Sequence, residues 1–168
     1  MDKTAKHKYS GFTLLESLVA TMLIAIAITA ILAANAAYSR SNGAGVTLST
    51  AEFLIDQIRA ITDTLGAIDP ESDTDTFGPE EASLALYDDV DDFDGLSLSP
   101  PVDLSGNELT YLAHFTQQVT VENILPTNLE TVASDHSTEF LRVTVVILID
   151  GREITSSSWL RHYRESND

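Results

Sequence analysis

Residues 11–37 read GFTLLESLVATMLIAIAITAILAANAA, a stretch that is apolar over most of its length. After Gly11 comes a run of about 23 residues, Phe12 to Ala34, in which Glu16 is the only charged side chain. A helix rises roughly 1.5 Å per residue and a bilayer core is about 30 Å thick, so this run suffices to cross a membrane. A carboxylate costs roughly 2.5–3.5 kcal/mol at the centre of such a span, which makes Glu16 a candidate functional residue.

A basic leader precedes Gly11 and contains three lysines: Lys3, Lys6 and Lys8. The order of basic leader, Gly11, Phe12-Thr-Leu-Leu-Glu16 and apolar run resembles the class III (prepilin) signal of type IV pilins and type II secretion pseudopilins. The resemblance implies that a prepilin peptidase removes residues 1–11 as a leader peptide and N-methylates Phe12. It also implies that Glu16 helps the subunit to enter a filament of other pilin or pseudopilin subunits.

Two plainer interpretations are a secretory signal peptide and a simple membrane anchor. A secretory signal has an apolar region of about 7–15 residues, followed by a cleavage site with small residues. The run here is longer, and its processing site precedes it. A simple anchor gives no reason for a glutamate at this offset from Gly11. The pilin-like interpretation therefore predicts a transmembrane and filament-core helix over residues 12–37.

The chain is strongly acidic. Its 168 residues carry a formal net charge of −17, and the loss of residues 1–11 leaves six arginines against 25 acids, a net charge of −19. Such a surface repels phosphates, so we expect no nucleic-acid partner. The sequence contains no cysteine, so the disulfide that pilins often carry near the C-terminus is missing. The head must then be held by packing alone or by a metal.

The distribution of positive charge predicts the orientation. The leader lysines lie on one side of the span, and Arg40 is the only basic residue close to the other side. The positive-inside rule then places the N-terminus in the cytoplasm and the head outside. We expect a single-pass protein in contact with inner-membrane lipid that later enters a pilus or pseudopilus.

Helical periodicity resumes after the span and predicts an amphipathic continuation over residues 38–65. Its apolar stripe comprises Leu54, Ile55, Ile58, Ile61 and Leu65, and its charged side comprises Glu52, Asp56, Arg59 and Asp63. The two glycines within residues 42–46 each weaken a helix by about 1 kcal/mol. Ser49 and Glu52 could open a second helix through a capping box, but we expect one helix with a weak point at these glycines.

The rest of the chain divides into a loop and a sheet. Residues 66–108 are rich in glycine, proline and acids and predict a long acidic loop, which corresponds in place to the αβ-loop of pilins. A loop of this length is unusual in a compact domain, so we expect it to carry function or short strands. Residues 109–163 predict an antiparallel sheet, and residues 164–168 predict a solvated tail.

Three strands of this sheet are predicted from alternating side chains. The apolar positions of the first two are Phe115, Val119 and Val121, followed by Leu141, Val143, Val145, Ile147 and Ile149. Asp150-Gly151 predicts a two-residue hairpin turn with positive φ. The returning strand, 152–161, is expected to turn Ile154 and Leu160 inward and Trp159 to the opposite face. The predicted fold is α+β and pilin-like, with a long N-terminal helix, first an anchor and then a spine, packed on a small antiparallel sheet.

The acidic segment, residues 88–94, is the other notable constellation. Its five carboxylates occupy seven positions: Asp88, Asp89, Asp91, Asp92 and Asp94. Such charges repel one another unless water or a cation screens them, and Ca²⁺ takes about 6–8 oxygen ligands from flexible loops. The spacing is not that of an EF-hand, because Val90 and Pro101 fall where the first and last ligands belong. The segment is similar to a stretch in minor pilins of the mannose-sensitive-haemagglutinin and PilV-like types.

Two interpretations of the acidic segment stay open. In one, its five aspartates form a Ca²⁺ site; some pseudopilins hold a structural calcium in their heads, through a differently arranged loop. In the other, the segment is an acidic, solvated turn, and Tyr87 and Phe93 hold it against the sheet. Neither interpretation requires a cofactor for chemistry.

Catalysis has little support in the sequence. His114, His136 and His162 are scattered, and residues 134–137, Ser-Asp-His-Ser, form a polar loop without a nucleophile motif. We therefore expect no enzymatic activity.

Two function classes are left. One is a structural pilus or pseudopilus subunit, favoured as a minor one because like-charged heads repel one another in a homopolymer. The other is a membrane-tethered exported domain, binding or enzymatic, that uses a pilin-like signal.

Overall fold

The computed structural model describes residues 11–67 and 77–162. Within them lie one α-helix, α1 (Leu14–Thr62), and five strands. The strands are β1 (Ser97–Leu98), β2 (Phe115–Leu125), β3 (Asn128–Val132), β4 (Phe140–Ile149) and β5 (Arg152–His162). The α+β class is confirmed. Leader residues 1–10 and the tail at 164–168 lie outside the described residues.

Helix α1 is a single helix of 49 residues. It is continuous through Gly43 and Gly45, and no second helix begins at Ser49. The helix ends at Thr62, three residues before the predicted end, and Thr62 Oγ1 donates a hydrogen bond to the carbonyl of Ile58 at 3.0 Å. By its internal contacts the chain divides between Gly45 and Val46 into two compact units.

The second unit contains an antiparallel sheet. The strand order is β1-β2-β4-β5, and β3 pairs with the end of β2. Strands β2 and β4 form a long ladder in which Val119 lies opposite Val145. Asp150 and Gly151 connect β4 to β5 with φ values of 49° and 79°. The predicted hairpin turn is therefore confirmed, since these positive φ values match the strand twist.

The core of the second unit lies between the C-terminal part of α1 and the sheet. Leu54, Ile55 and Ile58 are buried, and Ile61 and Leu65 pack against the same cluster. The sheet contributes the buried side chains of Phe115, Val119, Val121, Leu141, Val143, Val145 and Ile147. The predicted contact between the apolar helical stripe and these strands is confirmed. Each fully buried aliphatic side chain contributes about 1.5–3 kcal/mol relative to an exposed one.

The prediction for β5 is wrong after Ile154. Trp159 is a core residue with 7 % exposure, whereas Leu160 is 47 % exposed. The cause is a bulge: Ile147 pairs with Thr155 and Leu148 with Glu153, so Ile154 has no partner opposite it. One extra residue reverses the alternation of the strand. Ile154 faces the core as predicted, and so does Trp159 beyond the bulge.

The charged side of α1 is covered in part by β5 rather than facing only solvent. Thr155 Oγ1 donates a hydrogen bond to Glu52 Oε1 at 3.0 Å. The Arg59 guanidinium lies 5.1 Å from the centre of the Trp159 ring. Arg161 pairs with an aspartate near the end of the helix, Asp63, at 3.3 Å. These contacts align β5 along the helix, and they explain why polar side chains occupy the inward positions of this strand.

The acidic loop contains short structured pieces over residues 77–108. They are β1 and two 3₁₀ helices, Leu84–Leu86 and Asp91–Phe93. The expectation of short strands is confirmed by β1, which pairs with β2 at Ser97 and Leu98. Residues 68–76 of this loop lie outside the described residues.

Candidate functional site

The predicted processing site lies ahead of the helix. Gly11 and Phe12 are exposed and non-helical, and the Phe12 side chain is 83 % exposed. A peptidase needs an accessible backbone, and exposed segments outside regular structure are the preferred sites of proteolysis. The geometry of the Gly11–Phe12 bond is therefore compatible with the predicted cleavage.

Glu16, the predicted assembly residue, forms a capping box with Thr13. Glu16 Oε2 accepts hydrogen bonds from Thr13 N at 2.9 Å and from Thr13 Oγ1 at 3.0 Å. Thr13 Oγ1 accepts one from Glu16 N at 3.2 Å. The two residues thus satisfy N–H groups that the start of a helix otherwise leaves unpaired. The prepilin motif predicts only an assembly role for Glu16, so capping is an additional local role.

The N-terminal part of α1 presents an apolar surface. Its most apolar 18-residue window has a mean hydropathy of 2.5, and none of that window is buried. Large side chains such as Leu14, Leu23 and Ile31 are exposed. By length and composition, α1 is therefore able to span a membrane.

The acidic segment is anchored in the core of the second unit. Val90 and Phe93 are fully buried, and the Tyr87 ring lies edge-on to Phe93 with 5.3 Å between centroids. This confirms that Tyr87 and Phe93 hold the segment against the sheet. The solvated turn is nevertheless wrong for most of the segment. Its apolar anchors draw three carboxyl side chains below the surface, with 2 % exposure or less: Asp89, Asp91 and Asp92.

Backbone N–H groups use only part of the acceptor capacity of these carboxylates. Asp92 Oδ2 accepts a hydrogen bond from Asp88 N at 3.1 Å, and Asp89 Oδ1 accepts one from Asp92 N at 3.2 Å. Asp89 Oδ2, Asp91 Oδ1 and Asp92 Oδ1 are buried and have no hydrogen-bond partner within the described residues. A buried polar atom without a partner is unfavourable by about 1–3 kcal/mol, and more when it is charged.

Two of the buried carboxylates, Asp89 and Asp92, belong to two overlapping groups that could hold a metal ion, whereas Asp91 belongs to neither. Asp88, Asp89 and Asp92 form one group, and Asp92 with Glu80 and Glu81 forms the other. Within each group, one oxygen from every residue lies within 4.8 Å of the others. Glu81 Oε2 is also buried, and no described residue forms a hydrogen bond with it. Glu80 and Glu81 cannot be recognised as part of this cluster from the sequence, because they precede the segment by several residues.

Burial raises the pKa of two carboxyls in the segment. The pKa of Asp91 is raised to about 9, first by desolvation and then by the adjacent Asp89 carboxyl. The pKa of Asp92 is raised to about 7 by desolvation, by Glu81 and by Asp89. The pKa of Tyr87 is also raised, by desolvation and by the charges of Asp92 and Glu81. The tyrosine hydroxyl therefore senses the same cluster of acids.

One histidine approaches the segment from the loop between β3 and β4. His136 Nε2 lies 4.0 Å from Asp91 Oδ2, and the His136 ring lies edge-on to Phe77 at 4.8 Å. Asp135 Oδ2 accepts a hydrogen bond from Phe77 N at 3.2 Å. His136 Nε2 has no hydrogen-bond partner in the described part of the chain, so no Ser-His-Asp arrangement is formed there. The histidine is instead a neighbour of Asp91.

Asp94 has a different place from the other aspartates. Its Oδ1 accepts a hydrogen bond from Val121 N in β2 at 2.8 Å. It belongs to neither of the two groups that could hold a metal ion. The structure therefore separates Asp94, which fastens the segment to the sheet, from the buried carboxylates that the sequence grouped with it.

Comparison with protein-family models, curated proteins and solved structures finds no match to this chain.

Proposed function

We propose that this chain is a structural, non-enzymatic subunit of a type IV pilus or type II secretion pseudopilus. The observation that carries the proposal is the exposed apolar part of α1, with one carboxylate, Glu16, in its first turns. A soluble protein rarely leaves so large a contiguous apolar surface uncovered, so this part of the helix needs a lipid or protein environment. The membrane would cover it before assembly, and the helices of neighbouring subunits would cover it afterwards.

The proposal assigns processing to the exposed start of the chain. Prepilin peptidase would cut between Gly11 and Phe12 and methylate the new amine, with the lysines of the leader in the cytoplasm. The head would then lie outside the inner membrane. Mass spectrometry of the mature N-terminus tests this step: a methylated Phe12 is expected, and a different start or an intact leader in assembled protein would count against it.

Charge favours a minor position in the filament. A processed subunit carries a net charge of −19, so close repetition of the same head along a homopolymer brings like charges together. Interspersed subunits with less acidic heads would avoid that repulsion. The same acidity is the reason that nucleic acid is excluded from the proposed partners, which are prepilin peptidase, membrane lipid and other pilin or pseudopilin subunits.

Glu16 allows assembly and helix capping to be separated by substitution. Glu16→Ala removes both the charge and the cap, whereas Glu16→Gln removes the charge and retains a side chain that completes a capping box. If the charge pairs with the freed amine of a neighbouring subunit, both variants should be processed normally and be depleted from sheared filaments. Thr13→Val, which removes the partner hydroxyl, is the matched control for loss of capping alone.

The results have clear alternatives. Normal incorporation of Glu16→Gln together with poor incorporation of Glu16→Ala and Thr13→Val would assign Glu16 to capping and contradict its assembly role. Absence of the wild-type protein from every sheared filament fraction, with retention in the inner membrane, would instead support the second function class. That class is an exported binding or enzymatic domain tethered by α1.

A further inference from the structure

The acidic segment contains two buried carboxylates, Asp89 and Asp92, that have no ion-pair partner within the described residues. Asp89 and Asp92 are 2 % and 1 % exposed, and each keeps one oxygen without a partner in the described residues. Within residues 11–67 and 77–162, no arginine forms an ion pair with either carboxylate. Among the described residues, the neighbouring imidazole is that of His136, which lies beside Asp91 instead. Buried charges in proteins are normally paired or coordinate a metal, and the described part of the chain supplies no positive partner for Asp89 or Asp92.

We propose that Asp88, Asp89 and Asp92 bind one divalent cation, Ca²⁺, with Glu81 as a further donor. This group is preferred to the one that contains Glu80 because two of its three carboxylates are buried with an unpartnered oxygen. Glu81 Oε2, which is also unpartnered, belongs to the neighbouring group that shares Asp92. The bound cation would use the oxygens that the backbone leaves without a hydrogen bond.

The number and geometry of the ligands that each ion prefers favour Ca²⁺ over Mg²⁺. The donor oxygens of the group lie within 4.8 Å of one another, so one cation could contact all three. Ca²⁺ also accepts irregular geometry and six to eight oxygens, so carboxylates supplemented by water suit it. Mg²⁺ needs a near-ideal octahedron, which an assortment of side chains from one short segment supplies poorly.

A cation at this position would fasten the acidic loop to the sheet. Val90 and Phe93 already anchor the segment in the core, but only by bringing Asp89 and Asp92 below the surface. Without a cation, the apolar anchors favour burial of the segment, whereas the repulsion among its carboxylates opposes burial. A bound cation would remove this repulsion, so packing and electrostatics would favour the same conformation. The chain has no cysteine, so a bound cation would stabilise this head as disulfides stabilise other small exported domains.

Terbium luminescence tests the site directly. The full-length chain in detergent micelles, freed of metal by chelator and dialysis, is titrated with Tb³⁺, which occupies Ca²⁺ sites and emits when a nearby aromatic ring is excited. Tyr87 is such a ring, because its hydroxyl senses the charges of Asp92 and Glu81. Saturable emission is expected, and Ca²⁺ should displace Tb³⁺ at concentrations at least tenfold lower than Mg²⁺. Tyr87→Phe should lower the emission and leave Ca²⁺ binding measured by calorimetry within threefold of wild type.

Thermal unfolding, followed through the single tryptophan, Trp159, provides the second measurement. A hundredfold excess of Ca²⁺ over its Kd should raise Tm by roughly 8–15 °C. Asp89→Asn and Asp92→Asn should each weaken binding at least tenfold, and Glu81→Gln should weaken it less. Each Asn variant should also be more stable than wild type without Ca²⁺, because it removes a buried charge. Asp150→Asn, which removes an equal charge in the β4–β5 turn and tolerates positive φ, should behave as wild type.

Two results would overturn the cation site. One is an absence of saturable Tb³⁺ emission together with a wild-type Tm that Ca²⁺ and chelator leave unchanged. The other is wild-type Ca²⁺ affinity in both Asp89→Asn and Asp92→Asn. The proposal does not rest on the filament role, since every measurement uses the solubilised chain. If Ca²⁺ stabilises the head but the protein never enters filaments, the cation site is supported and the proposed function is contradicted. If the protein enters filaments but does not bind Ca²⁺, the proposed function is supported and the cation site is contradicted.

Discussion

Gln117, in the middle of β2, donates a hydrogen bond from Nε2 to the main-chain carbonyl of Leu54 in α1 at 3.0 Å. Its Oε1 accepts a hydrogen bond from Val102 N, in the acidic loop, at 2.8 Å. The side chain is fully buried, so one amide connects helix, sheet and loop. Gln57 on α1 makes a similar link, accepting a hydrogen bond from Leu104 N at 2.9 Å.

The buried amide of Gln117 should be important for stability. Gln117→Met keeps a similar volume but leaves Val102 N without an acceptor, which is unfavourable by about 1–3 kcal/mol. Chemical denaturation followed through Trp159 should show a loss of that size. Gln118→Met, on the exposed side of the same strand, is the control and should change the unfolding free energy by less than about 0.5 kcal/mol. Equal effects of the two substitutions would contradict the structural role of Gln117.

The contact between α1 and the sheet predicts a second effect. Val145→Asp and Ile58→Asp each place a charge in a fully buried site, which should destabilise the head by more than about 4 kcal/mol or prevent its folding. Val145→Ala separates the charge from lost packing and should cost about 2–3 kcal/mol. Near-ultraviolet circular dichroism and denaturation provide the measurement. A folded Val145→Asp head with wild-type stability would contradict the burial of Val145 in the core.

Much of the fold follows from short-range signals in the sequence. The apolar run and the apolar stripe through Ile58 predict the helix. Apolar residues that recur with the period of a helix lie on one face, and this face is the one that packs against the rest of the protein. Alternation predicts β2 and β4, and Asp150-Gly151 predicts the turn between β4 and β5. The face of Trp159 could not be predicted in the same way. A bulge at Ile154 reverses the alternation, and its position depends on pairing with β4, which is a long-range property.

The candidate site could be predicted only in part. The crowding of aspartates marks the segment, but alternation and composition do not report which of them are buried. Asp89 is buried because its neighbours in the segment, Val90 and Phe93, pack their apolar side chains into the core. Proximity in sequence groups Asp94 with the other aspartates, although its side chain accepts a hydrogen bond from Val121 N in β2. Contributions from the preceding glutamates and from His136 depend on tertiary packing alone.

The raised pKa values predict a pH dependence for the protein in cation-free buffer. Asp91 and Asp92 have pKa values of about 9 and about 7 in the folded state, against an ordinary pKa of 3.8 for an aspartate. The folded state therefore binds protons more tightly, so stability should increase as the pH falls from about 9 towards 4. The titratable groups facing these two carboxyls are Asp88, Asp89, Glu80, Glu81, Tyr87 and His136. Unfolding curves at about pH 8 and pH 5 test the direction.

Because His136 Nε2 lies 4.0 Å from Asp91 Oδ2, separate variants are needed to distinguish the histidine from the two carboxyls. His136→Gln should retain most of the pH dependence if the carboxyls dominate. The double substitution Asp91→Asn and Asp92→Asn should remove most of it. Greater stability of the wild-type protein at the higher pH, in the absence of cations, would be inconsistent with the burial of these carboxyls.

Asp94 should contribute to the stability of the sheet and should not contribute to cation binding. Its Oδ1 accepts a hydrogen bond from Val121 N, and Leu96 O accepts one from Val119 N at 2.9 Å, so this stretch covers β2 beyond the end of β1. Asp94→Ala leaves Val121 N unpaired and should destabilise the head by about 1.5–3 kcal/mol. Asp94→Asn retains an acceptor and should cost less than about 1 kcal/mol. Denaturation curves of the two variants measure the difference.

The same pair of variants separates Asp94 from the buried carboxylates next to it. Because Asp94 lies outside both groups that could hold a metal ion, its loss should change Tb³⁺ affinity only through long-range charge, within about threefold at physiological salt. Asp92→Asn should weaken the affinity much more in the same titration. If Asp94→Asn removed Tb³⁺ binding while the head stayed folded, Asp94 would be a ligand, and its bond to Val121 N would have to break when the cation binds.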